Sequence, residues 1–260
     1  MSIKRHLRTY YCLFFLLLSM CGTAQPIIHS HNDYTHALPF WDAYNNNAGV
    51  IEADVYAVNG NLMVSHNKKD IKPSHTLSAM YLEPIIKLYN SHKTQGHSVH
   101  TFYLMIDIKE NQDTVLKLLM HLLQQHPYAF NRKLNPKAVQ VFISGERPAD
   151  NMFHSFPSYI MFDGLPGKKY APADLKKIVM ISDNFETYSK WRGINKLPVE
   201  DSLLILNVIH EAHAEGKKMR LWGAPDTQLC WQTLMNMGID VINTDKVKEC
   251  RVFLDSFKAK

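Results

Sequence analysis

The chain has 260 residues, of which 46% are hydrophobic, 20% charged and 11% aromatic, a composition that excludes a disordered, collagen-like or low-complexity protein. Its formal net charge of +5 is too small and too concentrated at the N-terminus to argue for a nucleic-acid partner. The length suits one α/β barrel domain with a sizeable core.

At the N-terminus, Lys4, Arg5 and Arg8 precede an apolar run from Tyr10 to Met20, and the small residues Gly22, Thr23 and Ala24 follow. This order predicts a signal peptide over residues 1–24, cleaved between Ala24 and Gln25, because the run is shorter than the roughly 20 residues a bilayer span needs. The expected product is an exported protein, periplasmic or secreted, with no stable membrane span and one domain over residues 25–260. Cys21 offers lipid attachment as an alternative, although Met20 stands where such sites carry a small residue. Without residues 1–24 there are 26 Lys and Arg against 24 Asp and Glu, a net +2. The remaining cysteines, Cys230 and Cys250, would either bridge in an oxidising compartment or lie buried and unpaired.

From Pro26 onward, β-rich runs alternate with helical patterns. The predicted strands are Pro26–His31, Val50–Val58, Phe102–Ile108, Val139–Ile143, Tyr159–Phe162, Ile178–Ile181, Lys218–Trp222 and Asp240–Asn243. They are too apolar to be half-exposed, which predicts a parallel sheet covered by helices. Their number is that of a TIM-like (β/α)8 barrel. An open doubly wound sheet is the alternative, but the turn after the first run, Ser30 to Asp33, lacks the glycines such folds place there.

Among the helices, Thr114–Gln125 repeats Val115, Leu118, Leu119, Leu122 and Leu123 at helical spacing, with Asp113 as the expected N-cap. Ser202–Glu215 repeats Ile205, Val208, Ile209 and Ala212, and Gly216 is placed to end it in the left-handed conformation.

Polar residues gather at the C-terminal ends of the predicted strands, where a barrel keeps its chemistry. Glu52 and Asp54 sit two apart on one strand, so both carboxylates project towards the barrel axis while Ile51, Ala53 and Val55 face the helices. Asp107 has the same inward parity, with Leu104, Ile106 and Ile108 outward. Acids brought together in this way repel unless a hard cation with oxygen ligands neutralises them, which points to one Mg²⁺ or Ca²⁺. His31 ends the first strand and His66 ends a short returning strand, Leu62–His66, so an imidazole is expected on either side of the acids, suited to acid–base work on a phosphodiester.

The text Ile28-His29-Ser30-His31-Asn32-Asp33-Tyr34, then Glu52-Ala53-Asp54, then Val64-Ser65-His66-Asn67, resembles the glycerophosphodiesterase and phosphoinositide phospholipase C superfamily. The opening motif and Leu77 to Pro84 are most similar to a bacterial and fungal branch that includes the "altered inheritance of mitochondria" proteins. The resemblance implies a TIM-like barrel acting on a small-molecule or lipid phosphodiester. It assigns His31 as general base or nucleophile, His66 as general acid, and Glu52, Asp54 and Asp107 as metal ligands. Lys109, Asn32, Trp222 and Arg147 become the residues that hold the substrate, Lys109 against a phosphate oxygen.

Three positions depart from the superfamily pattern. Asn32 stands where an arginine usually follows the histidine, leaving Arg147 or Arg220 to supply a guanidinium; Asn67 replaces the usual aspartate; and the third acid is Asp107, not glutamate. Two other readings remain open at this point. One is a barrel that binds a phosphate or another ligand without turnover. The other is an amidohydrolase-type enzyme in which His29 and His31 both bind Zn²⁺.

Overall fold

A computed structural model describes residues 25–96 and 98–258. The predicted leader, residues 1–24 with Cys21, lies outside the described residues. Nine strands form one sheet: β1 (Ile27–Ser30), β2 (Val50–Val58), β3 (Asn61–Val64), β4 (Tyr103–Ile108), β5 (Gln140–Gly145), β6 (Ile160–Gly164), β7 (Ile178–Asn184), β8 (Lys218–Trp222) and β9 (Val241–Thr244). Eight of them are parallel in the order β1-β9-β8-β7-β6-β5-β4-β2, and the β1–β2 pairing closes the ring into the expected TIM-like barrel. The open-sheet alternative is excluded by that closure.

β3 is the exception. It runs antiparallel to the distal half of β2, pairing Val55 with Val64 through Val58 with Asn61. The proximal half of β2 pairs with β1 at Val50 and Ile51. One nine-residue strand therefore belongs to the barrel at one end and to a hairpin at the other.

Side-chain parity divides the interior. Outward residues such as Ile51, Ala53, Val55, Leu104 and Ile106 join the large core beneath the helices. Inward residues Val50, Met105, Phe142, Met180 and Val241 form a separate apolar plug. One step further along the strands, the inward positions become His29, Glu52, Asp163, Ser182 and Arg220, all buried. The barrel thus has an apolar floor and a charged upper storey, the layered filling expected of this architecture.

The helices are α1 (Trp41–Asn45), α2 (Glu83–Gln95), α3 (Gln112–Gln124), α4 (Pro127–Phe130), α5 (Pro172–Leu175), α6 (Val199–Ala214), α7 (Gln228–Asn236) and α8 (Val247–Lys258). α6 buries Ile205, Val208, Ile209 and Ala212 as predicted. It ends with Gly216 at φ +69°, whose N–H bonds His213 O while Lys217 N–H bonds Ala212 O.

Two details of the helix reading are corrected. α6 begins at Val199, not Ser202. α3 begins at Gln112, with Asn111 in the left-handed conformation as its N-cap, so Asp113 lies in the first turn near the positive end of the helix dipole. Its fully buried face is Val115, Leu116, Leu119 and Leu123, with Leu118 and Leu122 at the margin. Cys230 and Cys250 are free and buried, on α7 and α8. Among the described residues no helix is long and apolar enough to cross a membrane.

Candidate active site

Parallel register brings the acids together. β2 and β4 pair Glu52 with Met105 and Asp54 with Asp107, so the two aspartates are neighbours across adjacent strands. One ligand oxygen from each of Glu52, Asp54 and Asp107 lies within 4.8 Å of the others. A cavity of about 390 Å³ opens above them, lined by His31, Asn32, Glu52, Asp54, His66, Asp107, Lys109, Arg147 and Trp222. All nine residues singled out from the sequence therefore share one chamber. Met105, Ser144, Gly145, Asp163, Leu165, Ser182 and Arg220 complete its wall.

Each acid is held differently. Asp54 Oδ2 accepts from Lys109 Nζ at 2.8 Å, Tyr34 Oη at 2.8 Å and His66 Nδ1 at 3.1 Å. Asp107 Oδ2 accepts from Lys109 Nζ at 2.7 Å. Glu52 Oε2 accepts from His29 Nε2 at 2.6 Å and Arg220 Nη2 at 3.2 Å. Asp54 Oδ1 and Asp107 Oδ1 are buried with no hydrogen-bond partner.

A buried carboxylate oxygen left bare is costly, and three acids packed this closely repel. Burial and then Glu52 push the Asp54 carboxyl up; burial also pushes Asp107 up, against the pull of Lys109. A hard divalent cation would relieve both costs, so the donor set, all carboxylate oxygen, fits Mg²⁺ or Ca²⁺.

Lys109 differs from its expected role in one respect. It bridges Asp54 and Asp107 with its ammonium group, while Glu110 is taken by Lys68. Burial alone would lower the Lys109 pKa, but the two aspartates raise it, so the group stays charged.

The two imidazoles sit on opposite supports. His31 follows β1, and its Nδ1 donates to Asp245 Oδ1, just beyond β9, at 2.8 Å, which leaves Nε2 as the basic nitrogen. Burial lowers the His31 pKa, but the Asp245 hydrogen bond and the charge of Glu52 outweigh it and the net shift is upward. His66 lies beyond β3, two residues past its end at Val64, and is tied to Asp54 with its side chain 63% exposed.

Asn32 adopts φ +47°, a left-handed conformation that asparagine tolerates better than most residues. Its amide lies 3.0 Å from His31 Nδ1 and 2.7 Å from Tyr34 Oη. Arg147 donates to the backbone carbonyl of Asp163 and lines the cavity. Arg220, the other guanidinium considered, is buried and engaged with Glu52 and Asn243 Oδ1. Trp222 stands 41% exposed at the rim, a wall of the chamber and not part of the barrel core.

Asn67 turns to Asp70, away from the cavity. His29, half of the paired-zinc reading, spends its Nε2 on Glu52 and does not line the chamber.

Tyr34 and Asp245 touch the site without a role assigned from the sequence, while His29 and Arg220, weighed there as a zinc ligand and a phosphate-binding guanidinium, instead hold Glu52. Inward parity with His31 and Trp222 marks His29 and Arg220 respectively. Asp163 is a further polar group of the chamber, its carboxyl pushed up to about 6 by burial despite Arg220 and Ser182.

Comparison with known proteins adds a family. The AIM6-like phosphodiesterase domain matches residues 20–163, more than half of the chain. The chain belongs to the AIM6-like phosphodiesterase domain family.

Among curated family members, "Altered inheritance of mitochondria protein 6" of Eremothecium gossypii is 26% identical over 84% of this chain and 67% of its own length. The Lachancea thermotolerans protein of that name is 25% identical over 86% of this chain and 64% of its own length, so the chain spans about two thirds of these relatives. The homologue from Arthroderma benhamiae is 23% identical over 86% of this chain and 82% of its own length. Among solved structures, a putative glycerophosphoryl diester phosphodiesterase from Silicibacter pomeroyi superimposes with a TM-score of 0.53 at 9% identity, covering 91% of this chain and 95% of its own, a likeness of fold. AIM6-like membership and this neighbour agree with the superfamily branch read from the opening motif.

Proposed function

We propose that this AIM6-like domain is a divalent-cation-dependent phosphoric diester hydrolase of the glycerophosphodiesterase and phospholipase C type. The observation that carries the reading is the convergence of Glu52, Asp54 and Asp107 within 4.8 Å in one cavity with His31 and His66. In it, His31 Nε2, with Nδ1 anchored on Asp245, takes the proton of the attacking hydroxyl. His66 gives a proton to the leaving oxygen. Asn32, Arg147 and Trp222 orient the substrate, and Lys109 offsets negative charge beside the phosphoryl oxygens. A bound Mg²⁺ or Ca²⁺ would supply Lewis-acid polarisation of a phosphoryl oxygen at the three acids.

Charge balance favours a diester over a monoester. Four acids of the chamber wall, Glu52, Asp54, Asp107 and Asp163, are opposed by three resident cations, Lys109, Arg147 and Arg220. One net negative charge remains, which a divalent ion turns into one net positive charge. A singly charged diester neutralises it, whereas a doubly charged monoester leaves one charge uncompensated. Such a site holds its substrate better than a monoester product.

The apolar leader argues for an exported protein, periplasmic or secreted, meeting a small-molecule or lipid phosphodiester there. The test is hydrolysis of bis(p-nitrophenyl) phosphate by the folded protein with Mg²⁺ or Ca²⁺ added and then chelated. Turnover that appears and vanishes with the ion is expected. No turnover on a panel of phosphodiesters by a folded chain would overturn the proposal in favour of a binding protein. With a substrate in hand, ³¹P NMR distinguishes a cyclic phosphate, made by an internal hydroxyl, from a monoester made by water.

A further inference from the structure

We infer that His29 is a positioning residue that fixes the Glu52 carboxylate for the divalent cation, an inference that rests on the metal-dependent reading above. His29 lies on β1 two residues before His31 and is fully buried beneath the chamber it does not line. Its Nε2 donates to Glu52 Oε2 at 2.6 Å, and Arg220 Nη2 donates to the same oxygen at 3.2 Å.

A glutamate's terminal torsion is soft. Two donors on one oxygen lock it, and Oε1, which takes part in neither bond, is the oxygen left to face a ligand. Asp54 and Asp107 are held by Lys109, Tyr34 and His66, groups that are themselves partly exposed. Glu52 alone is held by two buried side chains, His29 and Arg220.

The choice of histidine carries its own argument. His29 Nδ1 is buried and has no hydrogen-bond partner. An orphaned ring nitrogen costs stability, so packing alone would favour an aliphatic or aromatic side chain here. With Nε2 against the Glu52 carboxylate and Nδ1 without an acceptor, the ring proton that makes the bond sits on Nε2. The grip on Glu52 is what the histidine adds.

The experiment is Mn²⁺ binding to the full chain followed by EPR, with no substrate present, for wild type, H29L, H29F and H29Q, each checked for folding by circular dichroism. Loss of the donor in H29L or H29F should weaken Mn²⁺ binding by about tenfold to a hundredfold, the usual effect of removing an outer partner of a metal ligand. H29Q, which keeps an N–H donor, should recover most of the loss; a role limited to packing would not show that rescue. Equal Mn²⁺ affinity in wild type and in either folded donorless variant overturns this inference and leaves the proposed function standing. A wild-type chain that takes up no Mn²⁺ overturns both.

Discussion

Asp54 and Asp107 are register partners on β2 and β4, and a single ammonium group, Lys109 Nζ, bonds Oδ2 of both while their Oδ1 atoms stay buried and bare. One ammonium thus faces two carboxylates, and the proposed cation would take up the charge it leaves over.

Removing one of these charges should therefore be felt first in ion binding. At an effective dielectric of about 20, a unit charge about 4 Å from a divalent ion is worth several kcal/mol. Asp54→Asn and Asp107→Asn should each weaken Mg²⁺ or Ca²⁺ binding by at least about a hundredfold. Isothermal titration calorimetry checks this, and an unchanged affinity in either variant removes that carboxylate from the ion site.

His31→Ala and His66→Ala should each lower the hydrolysis rate by roughly a hundredfold or more, the usual size of an acid–base contribution. Ion binding should persist in both, because neither imidazole belongs to the acid triad. Rates like wild type in both variants would reject the assigned roles.

The His31–Asp245 contact makes a pH prediction. With its pKa raised above 6.5, His31 gains folded-state stability that is fully present below pH 6.5 and lost as pH rises through the raised value. NMR titration of the ion-free protein should place the His31 midpoint above 6.5, and Asp245→Asn should lower it. A midpoint below 6.5 in wild type would contradict the dominance of Asp245 and Glu52 over burial.

Gly145 is required beside the acids. Its φ is +69°, and a Cβ there would lie 2.0 Å from Asp107 Oδ1 and 2.4 Å from Ile108 O. Gly145→Ala should cost about 2 kcal/mol of stability from backbone strain and displaced neighbours. Ion affinity should fall with it. Chemical denaturation measures the first effect and calorimetry the second.

Asn67, by contrast, should be expendable. Its amide bonds Asp70 and it does not line the cavity. Asn67→Ala should leave kcat/KM within about twofold of wild type, the range of an exposed substitution distant from special features. A tenfold loss would show that its departure from the superfamily pattern reaches the chemistry.

The strands and the inward acids were legible because both depend on a period of two. Short apolar runs such as Leu104 to Ile106 between turn signals read as buried strands, and on a strand Glu52 and Asp54 share one face. The supports of the site were not legible, because sequence distance hides them. Asp245 is 214 residues from His31, and Arg220 is 168 residues from Glu52. Barrel closure makes them neighbours. The Asp113 cap failed for a local reason: Asn111 takes the left-handed turn two residues earlier, which starts the helix before the aspartate. His29 was visible as a histidine, but only the Glu52 contact separates a support from a metal ligand.

Because β2 continues unbroken from the barrel wall into the hairpin with β3, His66 follows on the same ribbon as Glu52 and Asp54, whereas His31 hangs from the β1–β9 side. Bending of that ribbon would carry His66 and Asp54 together and alter their separation from His31. The two imidazoles thus stand on separately supported walls of the chamber, each paired with its own carboxylate. An occupant that touches both imidazoles would therefore join two walls that the chain builds far apart in its order.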